Sequence, residues 1–400
     1  MTSGPDRRPP ASGRDRDRAR GGLAFFATAA KGTEGALRDE LREIRVPGVR
    51  ADRGGVHFSG GWDDAWRACL HSRVAVRVLA ELGRFEAPDG AALYEGVRAI
   101  DFSPYLTPRH TLAVSAAVRS GGLTHTGFVA QKTKDAIVDR IRDAVGSRPD
   151  VDRRDPDVAV FVHIVKDRAT VYLDLAGESL HRRGYRVQAG EAPLKETLAA
   201  AILRLAGWDR ASPLHDPMCG SGTFPIEASL WALRVAPGLL RRRFGFERWA
   251  MHGVTAASRM ADLREGARMA VRADAPPISG ADADPAAIAV ARANARRAGV
   301  AVRFTAEPVS SLRPLAPGPS PAPSPGAGFV VVNPPYGARM EADRTAREDL
   351  AAAIRRLRGH TVAILSGAPD IERAMALRPD VRHSLWNGDI ECRLLVYRMR

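Results

Sequence analysis

Two short stretches carry residue types that do chemistry. The first, DPMCGSGTFPIEAS (Asp216–Ser229), places a carboxylate before a glycine-rich turn and an apolar helical segment behind it. A dinucleotide-binding turn needs GxGxxG and an acid about 20 residues further on. Here Gly220 and Gly222 supply GxG, but Pro225 stands in the third place, and the acid at the next strand end, Asp282, lies 60 residues past Gly222. A Walker-type phosphate loop needs Gly-Lys-Ser/Thr, which the turn lacks. S-adenosyl-L-methionine fits better. Its amino-acid end requires a close backbone approach, hence glycines, and its ammonium and sulfonium charges suit a carboxylate such as Asp216. Its ribose calls for an acid after the second strand, where Asp282 stands in ISGADADP.

The second stretch, NPPYG (Asn333–Gly337), follows directly on the apolar run FVVV. An exocyclic amine on a nucleobase is a poor nucleophile, because its lone pair is delocalised into the ring. The Asn333 side-chain oxygen and the Pro334 carbonyl can accept both N–H hydrogens and draw that pair out of conjugation. Pro334 and Pro335 stiffen the loop, so the acceptors need little reorganisation. Tyr336 offers a face on which a base can stack. Either motif alone also fits a tight or proline-stiffened turn; the two in register point to amine methylation.

Both motifs need strand ends to hold them. From about residue 190 the chain alternates helix and strand: KETLAAAILRLAGW, SPLHD, FPIEASLWALRV, PPISGADADPAAIAVARANARRAG, FVVV and AREDLAAAIRRLRGHTVAILSG. That alternation predicts a parallel doubly wound sheet, in which ligands bind outside the carboxyl ends of the strands. The terminal VRHSLWNGDIECRLLVYRM reads as a hairpin that adds an antiparallel edge strand. Residues 22–178 read as an α+β region of small units, with a hairpin turning at Lys166–Asp167. The stretch PLAPGPSPAPSPGAG (314–328) is low complexity and reads as a surface loop.

The 400 residues carry a formal net charge of +14, which favours polyanionic partners. An arginine-rich surface is the competing explanation. Three cysteines without CxxC or Cys/His spacing argue against a metal site and fit a reducing cytoplasm. No apolar run reaches the length of a membrane span, and residues 1–21 read as a disordered basic tail rather than a secretory signal. Neither a membrane nor an obligate protein partner is expected.

DPMCGSGTFPIEAS together with VVNPPYG resembles the class I methyltransferases that modify exocyclic amines, and LHRRGYRVQAGEAPLKETLAAAIL (180–203) resembles the junction between a THUMP domain and its catalytic domain. FFATAAKGTEGALRDEL and VDRRDPDVAVFVHI are similar to the bacterial 23S rRNA guanine-N2 methyltransferases. The resemblance implies a ferredoxin-like part at 22–65, a THUMP RNA-binding domain at 66–178 and a methyltransferase domain at 179–400. The fold expected is α/β, a Rossmann-like domain with a mostly parallel seven-stranded sheet after an α+β ferredoxin-like/THUMP region. The reaction implied is methyl transfer from S-adenosyl-L-methionine to a guanosine N2 in 23S rRNA or an assembly intermediate. By the same resemblance Asp216, Gly220 and Gly222 line the methionine end of the cofactor, Pro217 and Cys219 are assigned to the cofactor with them, Asp282 takes the ribose, and Asn333, Pro334, Pro335 and Tyr336 hold the base, with Asn333 also beside the cofactor. Lys195, Glu196 and Thr197 match the segment preceding the first strand, which the resemblance implies closes over the cofactor, with Thr197 assigned to it; an ordinary helix start explains them almost as well.

Two departures are visible. Where the family carries an adenine-contacting Asp after the third strand, FTAEPVSSL has Glu307 and Pro308 at or beside the position, and Glu307 is assigned to the cofactor in its place. Some relatives fuse a second methyltransferase domain, whose activity is not expected here. Cys219 reads as a packing residue, because amine methylation needs no covalent intermediate. The arginines of LLRRRFGFERW, and Arg182, Arg183 and Arg186, fit either RNA contact or interdomain ion pairs. A tRNA guanine-N2 methyltransferase is the near rival; a DNA adenine-N6 methyltransferase and a non-catalytic assembly factor are the others.

Overall fold

The computed structural model describes residues 22–186, 194–315, 328–335, 344–367 and 370–400. The first half builds one eight-stranded sheet from β1 (Leu23–Thr28), β2 (Arg50–Asp52), β3 (Gly55–Gly60), β4 (Arg77–Glu86), β5 (Thr111–Val118), β6 (Asp150–Val151), β7 (Val158–Val165) and β8 (Arg168–Asp174), in the order β2-β3-β1-β4-β8-β7-β5-β6. Four helices cover it: α1 (Glu34–Glu43), α2 (Trp62–His71), α3 (Gly90–Arg98) and α4 (Thr126–Val145). Strict alternation along β7, buried at Val158, Val160, Val162 and Ile164, turns one face to these helices. The β7–β8 hairpin turns at Lys166 and Asp167, both at positive φ (50° and 59°), as a two-residue hairpin turn requires.

The second half is a seven-stranded sheet of β9 (Leu214–Asp216), β10 (Ile278–Asp282), β11 (Arg303–Ala306), β12 (Gly328–Val332), β13 (His360–Ser366), β14 (Val381–Asn387) and β15 (Ile390–Arg398), ordered β11-β10-β9-β12-β13-β15-β14. The pairs β11–β10, β10–β9, β9–β12 and β12–β13 are parallel. Helices α5 (Glu196–Leu205), α6 (Thr223–Ala232), α7 (Val254–Met269), α8 (Pro285–Ala298), α9 (Arg344–Arg355) and α10 (Asp370–Met375) accompany it. All five residues of β12 are buried, as expected of a strand covered on both faces. The closing hairpin departs from expectation in one respect. Its antiparallel member, β15, lies inside the sheet between β13 and β14, and β14 takes the edge. Leu394, Leu395, Val396 and Tyr397 are buried on β15, whereas β14 buries only Leu385. The more apolar strand therefore occupies the inner place.

The halves are locked together by arginines and aromatics. Arg73, buried just after α2, donates to the Leu230 and Val235 carbonyls at the C-terminal end of α6 (3.1 and 2.6 Å), where a cation also meets the helix dipole favourably. Burial lowers its pKa to about 10, so it stays charged at neutral pH. Phe246 stacks on Trp66 with ring centroids 5.3 Å apart, and Trp249 packs edge-on against Trp62 and Tyr105. Arg241 donates to the carbonyls of Ala176, Glu178, Ser179 and Arg182, and Arg248 pairs with Asp155 and Asp157. The basic run Leu239–Trp249 is thus mostly interdomain mortar, and Arg242 keeps an exposed position. Arg183 is likewise interior, 1% exposed and bonded to the Leu180 and Arg73 carbonyls and to Glu227.

Candidate active site

Parallel register brings the motifs to one edge. Gly280 pairs with Asp216, and Asp282 with Ala306, so β9, β10 and β11 end side by side. Val330 pairs with His215, which carries Asn333 past the end of β12 beside the turn that follows Asp216. Strand order reverses between β9 and β12, and at such a switch point a crevice opens at the carboxyl ends.

The glycine turn is shaped by its hydrogen bonds. Cys219 N–H donates to the Ala281 carbonyl (2.8 Å), Gly220 N–H to Asp282 Oδ2 (2.9 Å) and Gly222 N–H to the Cys219 carbonyl (2.8 Å). Gly220 and Gly222 are left-handed, with φ of 49° and 83°. A Cβ at Gly220 would point into open space, whereas one at Gly222 would lie 2.9 Å from Phe304 Cζ and 3.1 Å from Ala291 Cβ. The first glycine leaves room and the second lets α6 pack on α8. Cys219 is buried against Gly280 and Phe304, and burial pushes its thiol pKa up, consistent with a packing role.

Asp216 is 2% exposed and accepts only the Met218 N–H (3.1 Å) among the described residues. Burial raises its pKa well above the usual carboxylate range, the Met218 N–H opposes this, and the neighbouring Asp282 adds to it. No cation among the described residues compensates it. Asp282 is oriented by two backbone donors, Gly220 N–H on Oδ2 and Asp284 N–H on Oδ1 (3.0 Å), which leave further lone pairs for hydroxyl donors. The backbone N–H of Glu307 donates to the Asp282 carbonyl, while its exposed carboxylate accepts from Ser311 Oγ (3.3 Å). Beside Pro217 and Glu307 a cleft of about 600 Å³ runs down the sheet face past His215 and Thr305. Burial brings the His215 pKa down to about 4, so the imidazole is neutral at physiological pH; it pairs with Ser279 Oγ at 2.9 Å.

Asn333 Oδ1 is buried and has no hydrogen-bond partner among the described residues. Pro334 is buried and Pro335 exposed. Tyr336 lies outside the described residues. Thr197 is buried at the start of α5, and the adjoining Glu196 carboxylate is taken by Arg186, so this helix end abuts the turn. Sequence reasoning passed over Asn294, fully buried on α8, whose Nδ2 donates to the Ser221 carbonyl (2.9 Å). A polar residue between Ala291 and Ala295 on the apolar face was the available signal.

A buried, uncompensated carboxylate, an open glycine backbone and an oriented second acid suit a ligand with an ammonium and a ribose. The Asn333 acceptor, without a partner among the described residues, suits an N–H donor. These residues therefore fit S-adenosyl-L-methionine beside an amine. Among the described residues no acid, His or Cys cluster could hold a metal ion, and no helix is long and apolar enough to cross a membrane.

Residues 24–79 match the profile of the RlmL ferredoxin-like domain, and residues 89–174 that of the THUMP domain. The ribosomal RNA large subunit methyltransferase K/L of Syntrophotalea carbinolica is 41% identical over 381 residues, covering 93% of this chain and 53% of its own length. That of Methylococcus capsulatus is 42% identical over 384 residues, covering 93% and 51%. The chain thus spans about half the length of these relatives. Among solved structures, a methyltransferase crystallised with SAH is 28% identical, with a TM-score of 0.83, covering 95% of this chain and 98% of its own. A Listeria monocytogenes protein described as a predicted N6-adenine-specific DNA methylase is also 28% identical, with a TM-score of 0.83, covering 98% and 99%. Residues 183–395, more than half of the chain, match the RMKL-like methyltransferase domain, and the protein belongs to that family.

Proposed function

We propose that this protein transfers the methyl group of S-adenosyl-L-methionine to the exocyclic N2 amine of a guanosine in 23S rRNA. The buried Oδ1 of Asn333 at the mouth of the crevice, without a hydrogen-bond partner among the described residues, carries the reading. An unsatisfied acceptor in a folded protein costs about 1–3 kcal/mol, and a substrate N–H relieves that cost. When bound, the cofactor supplies an electrophilic methyl group. Asp216 meets its ammonium, Asp282 its ribose hydroxyls, and Gly220 leaves the space it enters. Asn333 Oδ1 accepts one N–H of the amine, and the Pro334 carbonyl, held by two prolines, accepts the other. Both bonds strengthen as the nitrogen releases its lone pair and its N–H groups become more acidic. Preorganised acceptors of this kind contribute differentially to the transition state.

Three observations favour RNA as the partner: the THUMP match at residues 89–174, the names of the relatives, and the net charge of +14. The name of the Listeria structure keeps adenine in DNA as a second reading, since the same acceptors serve an adenine amine. Labelled methyl transfer to unmodified 23S rRNA, tRNA and duplex DNA, offered separately and followed by digestion to nucleosides, decides between them. N2-methylguanosine from rRNA supports the proposal. N6-methyladenosine from DNA, or label confined to tRNA, overturns it and leaves the catalytic fold in place.

A further inference from the structure

The segment that follows β8, described as far as Arg186, reaches the glycine turn through the side chain of that arginine. Arg186 Nε donates to Glu196 Oε1 at 2.9 Å, Nη1 to Ser221 Oγ at 2.9 Å, and Nη2 to the Leu194 carbonyl and Thr223 Oγ1, both at 3.2 Å. The guanidinium is 16% exposed and the Glu196 carboxylate 5%. One planar cation therefore ties this segment to the N-terminus of α5, to the middle of the turn and to the first residue of α6. Ser221 sits between the two left-handed glycines, the most permissive part of the backbone. It is held from both sides, its hydroxyl by Arg186 and its carbonyl by Asn294. The same segment reaches the N-terminal half: Arg183 meets the Arg73 carbonyl, and Tyr185 and Arg183 both meet Glu227 on α6.

We infer that Arg186 is a positioning residue for the cofactor turn, fixing Ser221 so that the turn is shaped before the cofactor arrives. The inference rests on the reading that this turn holds S-adenosyl-L-methionine. Cys219, Gly220 and Gly222 have backbone bonds independent of Arg186, so the turn survives its loss with only Ser221 and its flanks loosened. Its removal weakens cofactor binding without unfolding the domain. A lysine cannot stand in, because a single ammonium does not span four acceptors in a plane.

The test measures SAH binding by calorimetry on the full chain, for wild type, Arg186→Gln, Arg186→Lys and Asp216→Asn, with RNA affinity and thermal midpoint alongside. Arg186→Gln and Arg186→Lys should each raise the SAH Kd about tenfold, or about 1.4 kcal/mol, with RNA affinity unchanged. In Arg186→Gly, millimolar guanidinium should restore SAH binding, an effect that general destabilisation does not produce. An SAH Kd within about twofold of wild type in Arg186→Gln, while Asp216→Asn binds weakly, overturns the positioning role and leaves the turn assignment standing. Wild type that binds no SAH overturns the turn assignment itself. Should Arg186→Gln fail to fold, Ser221→Ala carries the test: weaker SAH binding supports the inference, and unchanged binding overturns it.

Discussion

Replacing Asp216 by asparagine should stabilise the ligand-free protein and weaken its cofactor complex, two effects of opposite sign from one exchange of O for N. Asp216 is 2% exposed, and its described partner is the Met218 N–H, which the amide oxygen of the new side chain can still accept. What disappears is a buried charge without a described counter-cation, held near a second carboxylate. Burying an unsatisfied polar group costs about 1–3 kcal/mol and a charge more, so a gain of about 1 kcal/mol is a conservative expectation. That corresponds to a rise of about 2–4 °C in thermal midpoint for a domain of this size. The sign with pH follows from the raised pKa. Asp216 contributes its full stability while protonated, below its unfolded pKa, and loses it as pH rises through the folded value. The advantage of the variant therefore grows as pH rises from the unfolded pKa to the raised folded one and then levels. Binding runs the other way. Removing one member of a buried charge pair costs about 2–5 kcal/mol, so the SAH Kd should rise about 30-fold or more. Wild-type affinity should fall as pH drops through the Asp216 pKa, while the variant stays flat over that range. Differential scanning calorimetry with and without SAH across pH reads both effects. A ligand-free variant less stable than wild type rules out a destabilising buried charge at Asp216, and one that binds SAH equally well rules out its contact with the ammonium.

Other positions give sharper local tests. Gly222→Ala places a methyl group 2.9 Å from Phe304 Cζ at φ 83°, so strain and overlap act together; a loss of about 1–3 kcal/mol and weaker SAH binding should appear in denaturant titration and calorimetry. Arg183→Met leaves the buried Glu227 with one guanidinium fewer beside it; about 3–5 kcal/mol of stability should be lost in urea unfolding, and Glu227→Gln in the same chain should recover part of it. Glu307→Ala removes an exposed carboxylate, so the SAH Kd should change by less than about tenfold in the same calorimetry.

The parts of the site that were legible in the sequence are those set by local backbone demands. Left-handed turn positions call for glycine, and Gly220 and Gly222 marked the turn. A stiffened loop after an apolar strand calls for proline, and Asn333-Pro334-Pro335 stands directly past the end of β12. The arginines were not legible. Arg183, Arg186 and Arg241 are indistinguishable in sequence from a phosphate-binding surface, because a guanidinium's partners are fixed by tertiary structure. Their stems bury readily, and the acceptors they meet include the Arg73 carbonyl, Ser221 Oγ and the linker carbonyls Ala176 to Arg182. The inner place of β15 was visible only as apolar density at Leu394–Tyr397, which periodicity alone does not convert into strand order.

The role of the Asn333 acceptor is decided by Asn333→Ala under single-turnover conditions, with labelled cofactor, unmodified 23S rRNA and SAH affinity measured in parallel. Transfer should slow by about 10²–10³-fold, with SAH binding within about twofold of wild type. Transfer at the wild-type rate would contradict that role, because the buried acceptor at the crevice would then have no part in preparing the amine.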